Sequence, residues 1–379
     1  MKRFFLSLVL SFSACFPLSA QVPAPPPEET PHIDLVFCLD ATGSMSGLIK
    51  TAKEKIWDIV TSLSQTTPAP EIRLGMVFYR DRGDAFVTKV YPLTTDIDSV
   101  YAELLEIGAA GGGDSPESVN QALHEAVSQM NWSEGAKVYK TIFLVGDCPP
   151  HMDYKDDVKY TETCKLASQK GIIINSIKLG MVCMDAVQHF QTISGATVGE
   201  YIQFGQDAGD VVFKTPFDDS INYYSRQLDQ SRIYYGSREV QLKNYKRKEK
   251  SLEIQTEASS TSNADRASYN NSKSGAKNLY GESELVNDLI ENRVVLDSIA
   301  EDRLPPEIRQ LPPNKRRAHI DSLMQQRRVM QAQLVRLTQA RAAYIAGERQ
   351  KQGGTESFSN QVFAIMQKQA ATKGVVLKR

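Results

Sequence analysis

Residues 33–44 read IDLVFCLDATGS. The first seven, an almost continuous apolar run of strand length, are what a central strand covered on both faces requires. The run ends abruptly on Asp40, Thr42 and Ser44. Beyond it Leu48, Ile49, Ala52, Ile56, Ile59, Val60 and Leu63 recur at spacings of three and four, one face of a helix. A buried strand, a polar turn and an amphipathic helix in this order are the opening unit of an α/β sheet.

The same alternation continues downstream. IRLGMVFY (72–79) and the segment 86–93 are predicted as strands joined by a hairpin-type turn, Arg80-Asp81-Arg82-Gly83-Asp84. A helix is predicted over 99–107, then the glycine run Gly111-Gly112-Gly113, then a helix from Pro116 to about Met130. TIFLV (141–145) and GIIINSI (171–177) read as further buried strands, followed by a helix over 185–193 and a strand over 200–204. The expected fold over 32–220 is a doubly wound, mainly parallel α/β sheet, in which ligands bind at strand C-termini.

Past residue 220 the strand signals stop, and an all-α extension over 221–379 is expected. The Ser/Asn/Ala-rich stretch 258–274 reads as linker or frayed helix, placing a flexible stretch around 256–280. An amphipathic helix starts near Leu285 and ends before Leu304-Pro305-Pro306. After Pro312-Pro313 an apolar seam of Ile320, Leu323, Met330, Leu334, Leu337 and Tyr344 is interrupted by Arg327 and Arg341. Such interruptions favour a helical hairpin, packed on itself or on the domain, over a long coiled coil. A last helix is expected over 358–371.

At the other end, Lys2 and Arg3 precede an apolar run, and Leu18-Ser19-Ala20 offers small residues for cleavage, so 1–20 reads as a secretory signal. The alternative is a lipoprotein signal ending at Cys15. A Pro-rich spacer follows over 21–31. The expectation is an exported protein, periplasmic or extracellular, with no integral membrane span once the signal is gone. Cleavage leaves Cys38, Cys148, Cys164 and Cys183, which permit two disulfides in any of three pairings, or buried free thiols.

The 379 residues carry 44 basic and 45 acidic side chains, and 41% are hydrophobic. That composition excludes wholesale disorder and a polytopic membrane protein. The net charge of −1 argues against a nucleic-acid binder. It also conceals two opposed regions, −10 over 1–235 and +9 over 236–379.

Three loops fall at the C-terminal ends of parallel strands: Asp40-Ala41-Thr42-Gly43-Ser44, Asp114-Ser115-Pro116-Glu117 and Gly146-Asp147. They gather carboxylates and hydroxyls with no lysine or arginine among them. Carboxylates cannot share a pocket cheaply, because like charges raise one another's pKa. A hard divalent cation with oxygen ligands resolves the conflict. Alternate residues of a turn point the same way, so Asp40, Thr42 and Ser44 face one ion.

On these residues the sequence resembles the von Willebrand factor type A family with its metal-ion-dependent adhesion site. Asp40-x-Thr42-x-Ser44 is similar to that family's Asp-x-Ser-x-Ser, with Thr42 as a departure that keeps the hydroxyl. The Asp114-x-Pro116-Glu117 loop resembles that of integrin β subunits, which implies Glu117 as a ligand and Asp114 as an auxiliary residue. Asp147 corresponds to the family's third-loop Asp. The stretches GMVFYRDRGD, GGGDSPESVNQAL and VGDCPPH resemble a bacterial-type subgroup, and the helical tail is similar to that of secreted proteins carrying this domain.

The resemblance implies a metal site of Asp40, Thr42, Ser44, Glu117 and Asp147 holding Mg²⁺, with Ca²⁺ or Mn²⁺ as alternatives. It implies an exported binding module that presents the ion to an acidic residue of a protein partner, without enzymatic activity. Two other functions are compatible with the residues. One is a scaffold whose basic helical tail carries the interaction, the metal being structural. The other is a metal-dependent phosphoryl hydrolase, although no Gly-x-x-x-x-Gly-Lys-[Ser/Thr] loop, Gly-x-Ser-x-Gly elbow or His-Glu-x-x-His motif is present. Arg80, Asp81 and Asp84 follow the second strand at the same edge and could border the site, with a turn held by local ion pairs as the preferred reading; His151 could lie near the rim, with an ordinary surface or capping residue preferred. Nothing in the sequence fixes the oligomeric state.

Overall fold

The computed structural model describes residues 30–113, 115–135, 137–205, 212–351 and 358–377. The expected signal, the Pro-rich 23–27 segment and Asp114 lie outside them. The strands are β1 (His32–Asp40), β2 (Glu71–Tyr79), β3 (Thr88–Thr94), β4 (Val138–Gly146), β5 (Ile172–Leu179) and β6 (Tyr201–Phe204). Between them run α1 (Ser46–Ser64), α2 (Ile97–Glu106), α3 (Val119–Ser128), α4 (Tyr160–Gln169) and α5 (Ala186–Ala196).

The sheet order is β3-β2-β1-β4-β5-β6, with β3 antiparallel to β2 and every other pairing parallel. The chain therefore leaves β1 toward one edge, then returns to build β4, β5 and β6 on the other side. Strand order reverses between β1 and β4, and a crevice opens there at the strand C-termini. Asp40 is the last residue of β1, and Gly146 the last of β4.

The apolar run of β1 is buried on both faces. Ile33, Leu35, Phe37 and Leu39 pack with α1 and α2 residues such as Ile56, Trp57, Val100 and Leu104, while Val36 and Cys38 pack with Val119, Leu123, Cys164 and Phe190 on the opposite face. Strand alternation alone produces this division.

The C-terminal region comprises α6 (Asp218–Gln230), α7 (Arg238–Glu257), α8 (Ser260–Asn270), α9 (Ala276–Tyr280), α10 (Leu285–Ile290), α11 (Pro306–Arg309), α12 (Pro313–Lys351) and α13 (Phe358–Ala371). Two expectations for it need correction. The stretch read as flexible, around 256–280, contains α8, whose Ala264, Ala267 and Tyr269 are buried. Its small residues permit close approach to α1, where Thr61 donates to the Asp265 carbonyl at 3.0 Å and Ser259 donates to Glu54 at 2.7 Å.

The expected helical hairpin is instead α12, one continuous helix of 39 residues. Arg327 and Arg341, which seemed to break its seam, are its anchors. Arg327 grips Glu284 at 2.6 and 2.8 Å, and Arg341 bonds Asp218 at 2.8 Å and Asp265 at 2.5 Å, all with buried side chains. A buried guanidinium with paired carboxylates satisfies its charge locally, so the seam continues through it.

The sheet's core does not end at residue 220. Phe358, Val362, Phe363, Met366, Ala370, Val375 and Leu377, from α13 and the segment after it, belong to the same core as Ile33, Phe37, Tyr139 and Phe143. Gln369 accepts a hydrogen bond from Tyr139 at 2.7 Å and donates to Asn175 at 2.7 Å, fixing α13 over β4 and β5.

Candidate functional site

The crevice at the β1/β4 reversal is built from backbone contacts between loops. Beyond β1, the Gly43 N–H donates to Gly111 at 3.1 Å and the Ala41 carbonyl accepts from Ala110 at 3.1 Å, joining the first loop to the glycine run. Gly111 and Gly112 both have positive φ, and a side chain on Gly112 would press on Thr42 and Glu117. Beyond β4, the Pro149 carbonyl accepts from Glu117 N–H at 2.8 Å, and Glu117 and Pro150 form an isolated parallel bridge. A Cβ on Gly146 would collide with the Tyr79 hydroxyl and press on Asp40. The three loops that the sequence placed at one edge are thus knitted together, with Asp40, Thr42, Glu117 and Asp147 all buried.

Within the crevice Asp40 Oδ1 accepts from the Thr42 N–H at 2.8 Å and from the Thr42 hydroxyl at 2.6 Å. The Thr42 and Ser44 hydroxyls lie 3.3 Å apart. Asp40, Thr42 and Ser44 therefore do face one another, as the alternating spacing predicts. On the other side of this arrangement, Asp40 Oδ2, Glu117 Oε2 and Asp147 Oδ1 are buried without any hydrogen-bond partner. Other buried polar atoms of the fold also lack a partner, but here three carboxylate oxygens of adjoining loops do so together, which calls for a missing partner.

The electrostatics carry the same message. Burial pushes the Asp40 carboxyl above its ordinary value, against the opposing bonds from Thr42, and Asp147 adds to the rise. Burial pushes Glu117 up as well, followed by the charges of Asp40, Asp81, Asp147 and Asp84. Burial also raises the Tyr79 phenol well above its usual value, with Asp40, Glu117 and Asp147 adding to the effect. Its hydroxyl donates to the Val145 carbonyl at 3.1 Å. Among the described residues, no three His, Cys, Asp or Glu side chains by themselves form a ready metal cluster. The donor set here mixes carboxylates with two hydroxyls, and a hard cation that keeps several waters reaches such carboxylates without direct contact.

Several side chains at the crevice are placed otherwise than in the preferred sequence reading, and Lys178 escaped it. Asp81 is buried, and instead of a local pair with Arg80 it accepts from Ser118 at 3.1 Å and from Tyr154 at 3.2 Å. Arg80 donates to the Ala41 and Gly108 carbonyls at 3.0 and 2.7 Å, bracing the first loop. Arg82 pairs with Asp156 and Asp157, and Asp84 accepts from Gly112 N–H at 3.0 Å, so Arg82-Gly83-Asp84 is engaged in the loop's own structure.

His151, expected at the surface or in a cap, is buried. It stacks on Tyr154 with ring centroids 3.9 Å apart, and its Nε2 stands 3.3 Å from Asp81. Lys178, at the end of β5, is wholly buried and donates to the carbonyls of Leu179, Gly180 and Val182. Burial lowers its pKa, and the charge of Asp147 works against that shift. The partners of Asp81 and Lys178 are distant in sequence or belong to backbone, which leaves no motif to find. Cys148 and Cys183 form a disulfide, while Cys38 and Cys164 are buried free thiols.

The von Willebrand factor A domain family matches residues 34–216. Von Willebrand factor A domain-containing protein 7 of rat is 39% identical over 98 residues, which is 26% of this chain and 10% of that protein. A putative ariadne-like RING finger protein of Acanthamoeba polyphaga mimivirus is 29% identical over 119 residues, 31% of this chain and 11% of the viral protein. This chain thus spans only about a tenth of the length of those relatives. Among solved structures, proximal thread matrix protein 1 from the mussel byssus, determined with a zinc-occupied MIDAS motif, is similar with a TM-score of 0.38 and 17% identity over 47% of this chain and 43% of that one. A von Willebrand factor type A protein from Catenulispora acidiphila gives a TM-score of 0.35 with 13% identity over 46% of this chain and 39% of that one. The family match and the sheet order describe one object: residues 34–216 of this chain form a von Willebrand factor A domain.

Proposed function

We propose that this chain is a non-enzymatic, metal-dependent protein-binding module, in which Asp40, Thr42, Ser44, Glu117 and Asp147 hold a divalent cation for a partner's carboxylate. The observation that carries the reading is the set of three buried carboxylate oxygens, on Asp40, Glu117 and Asp147, that lack any partner. Among the described residues no lysine or arginine forms a salt bridge with these three carboxyl groups, which supports a cation from outside the chain. Oxygen-only donors fit Mg²⁺, with Ca²⁺ or Mn²⁺ as alternatives. The Thr42 and Ser44 hydroxyls bring no charge, so the bound ion stays attractive to an external carboxylate.

The Cys148–Cys183 disulfide supports an exported, oxidising setting, periplasmic or extracellular. No helix among the described residues is long and apolar enough to cross a membrane. Arg266, Arg327 and Arg341 of the basic region are paired within the fold, which takes these three out of any interaction surface of the scaffold alternative.

Titration calorimetry with magnesium chloride on the full chain tests the reading. Saturable binding is expected, reversed by chelator and abolished in the Asp40→Ala, Asp147→Ala double variant. Unchanged binding in that variant would refute it. Metal-dependent release of phosphate from a generic ester, lost in Asp147→Ala, would replace the binding module with a hydrolase.

A further inference from the structure

The loop that follows β5 exposes an unusual set of side chains. Met181 is 74% exposed, Val182 67% and Met184 52%, three apolar residues within four positions. Exposed apolar residues in a mobile loop would be unremarkable, but this one is held at many points. Cys183 is bonded to Cys148, the neighbour of Asp147, and its sulfur lies 3.2 Å from the hydroxyl of Ser115 in the loop that carries Glu117. Beneath it the Lys178 ammonium donates to the Gly180 carbonyl at 3.1 Å and the Val182 carbonyl at 2.7 Å. The Gly180 N–H donates to Phe204 at 2.9 Å, and Gln203 donates to the Gly180 carbonyl at 3.0 Å. Cys183 itself adopts a positive φ of 50°. A segment fixed from below and from the side cannot fold its apolar side chains inward. It presents them as a preformed lip, covalently tied to one carboxylate loop and in contact with another.

We infer that this lip is the specificity-determining part of the partner site, and that the partner segment carries aliphatic side chains flanking the acidic residue that meets the cation. The inference rests on the metal-dependent reading above and names the partner chemistry at that same site. Continuity with the carboxylate crevice sets the occupant. Because Cys183 is bonded to Cys148 beside Asp147 and touches Ser115 in the Glu117 loop, a partner seated at the carboxylates meets Met181, Val182 and Met184 as neighbouring apolar surface. Methionines suit this role, since their flexible thioethers adapt to branched partners. A preformed surface also binds without first ordering a loop.

The test uses the full chain, in Mg²⁺, to select from a displayed peptide library of four random residues, a fixed Asp, and four random residues. The expected result is chelator-sensitive enrichment of Leu, Ile, Val, Met or Phe near the Asp. The selected peptide, made synthetically, should bind the Met181→Ser, Val182→Ser, Met184→Ser triple variant at least about tenfold more weakly. Magnesium binding by that variant should match the parent chain, since the substituted side chains are exposed and lie outside the carboxylate set. Chelator-sensitive selection without aliphatic bias, or equal peptide affinity for both chains, overturns the lip and leaves the metal reading standing. Absence of magnesium binding by the parent chain overturns both.

Discussion

Glu117 sits where four other carboxylates act on it, and its fate with pH is the sharpest residue-scale consequence. Its pKa and that of Asp40 are raised in the fold, so without a divalent ion the folded chain binds protons that the unfolded chain releases above about pH 4. The pair therefore subtracts stability as pH rises from the ordinary carboxylate range through the raised values. Glu117→Gln removes that penalty. In chelator at pH 8 the variant should be more stable than the parent by about 1 kcal/mol or more, and the gap should close toward pH 5. With saturating Mg²⁺ at pH 8 the order should reverse. Urea melts of both chains under the three conditions decide it, and a gap indifferent to pH would contradict the electrostatic account. Asp40, Thr42 and Ser44 were legible in the sequence because their geometry is local, a turn whose alternate side chains converge. Asp81, His151 and Lys178 were not, because their placement depends on Ser118, Tyr154 and the carbonyls of the loop after β5.

Helices in this chain join through buried arginines as much as through apolar stripes. Arg266 of α8 bonds Asp98 of α2 at 2.7 and 2.5 Å and Asp229 of α6 at 2.8 Å, with all three side chains inaccessible. Removing the cation strands the buried Asp98 carboxylate and leaves Asp229 with Arg232 alone, so Arg266→Ala should lower stability by about 3–5 kcal/mol. The shift should appear as a lower urea midpoint with an unchanged slope. Adding Asp98→Asn and Asp229→Asn to that variant should restore part of the loss; no restoration would mean that lost packing, not stranded charge, dominates. Burial alone would raise the Asp98 pKa, but Arg266 outweighs it and holds the carboxyl below the usual range. Its contribution is therefore complete above about pH 4 and fades only in strong acid, as pH falls through the depressed folded value. Element boundaries in the β/α portion followed from apolar periodicity. In α8 and α12 the same rules misled. A run of Ser, Asn and Ala looks like linker whether it is solvated or closely packed, and an arginine in an apolar seam looks like an interruption whether or not a carboxylate waits opposite.

Across the whole molecule, the division at residue 220 marks a change of secondary structure but not a boundary of the core. Phe358 and Met366 of α13 are buried against the sheet with α1. Met366→Ala should cost about 2–5 kcal/mol in a urea melt, comparable to truncating a residue inside the β1 layer. A chain ended at residue 351 should lose its cooperative thermal transition, since the part of that face over β4 and β5 loses its cover. Cooperative melting of that truncated chain, with magnesium binding intact, would show α13 to be dispensable. No periodicity could have announced this role, because α13 reads as an ordinary short amphipathic helix and its partners lie far away in sequence.

That distance has a consequence for how the chain comes to be folded. Tyr139 on β4 and Gln369 on α13 are 230 residues apart, yet share one buried hydrogen bond. During synthesis all six strands emerge from the ribosome well before the helix that seals them. Loop closure over such a span is slow, and an unsealed sheet exposes apolar surface while it waits. The face of the sheet over β4 is therefore completed only after the last helix has been made.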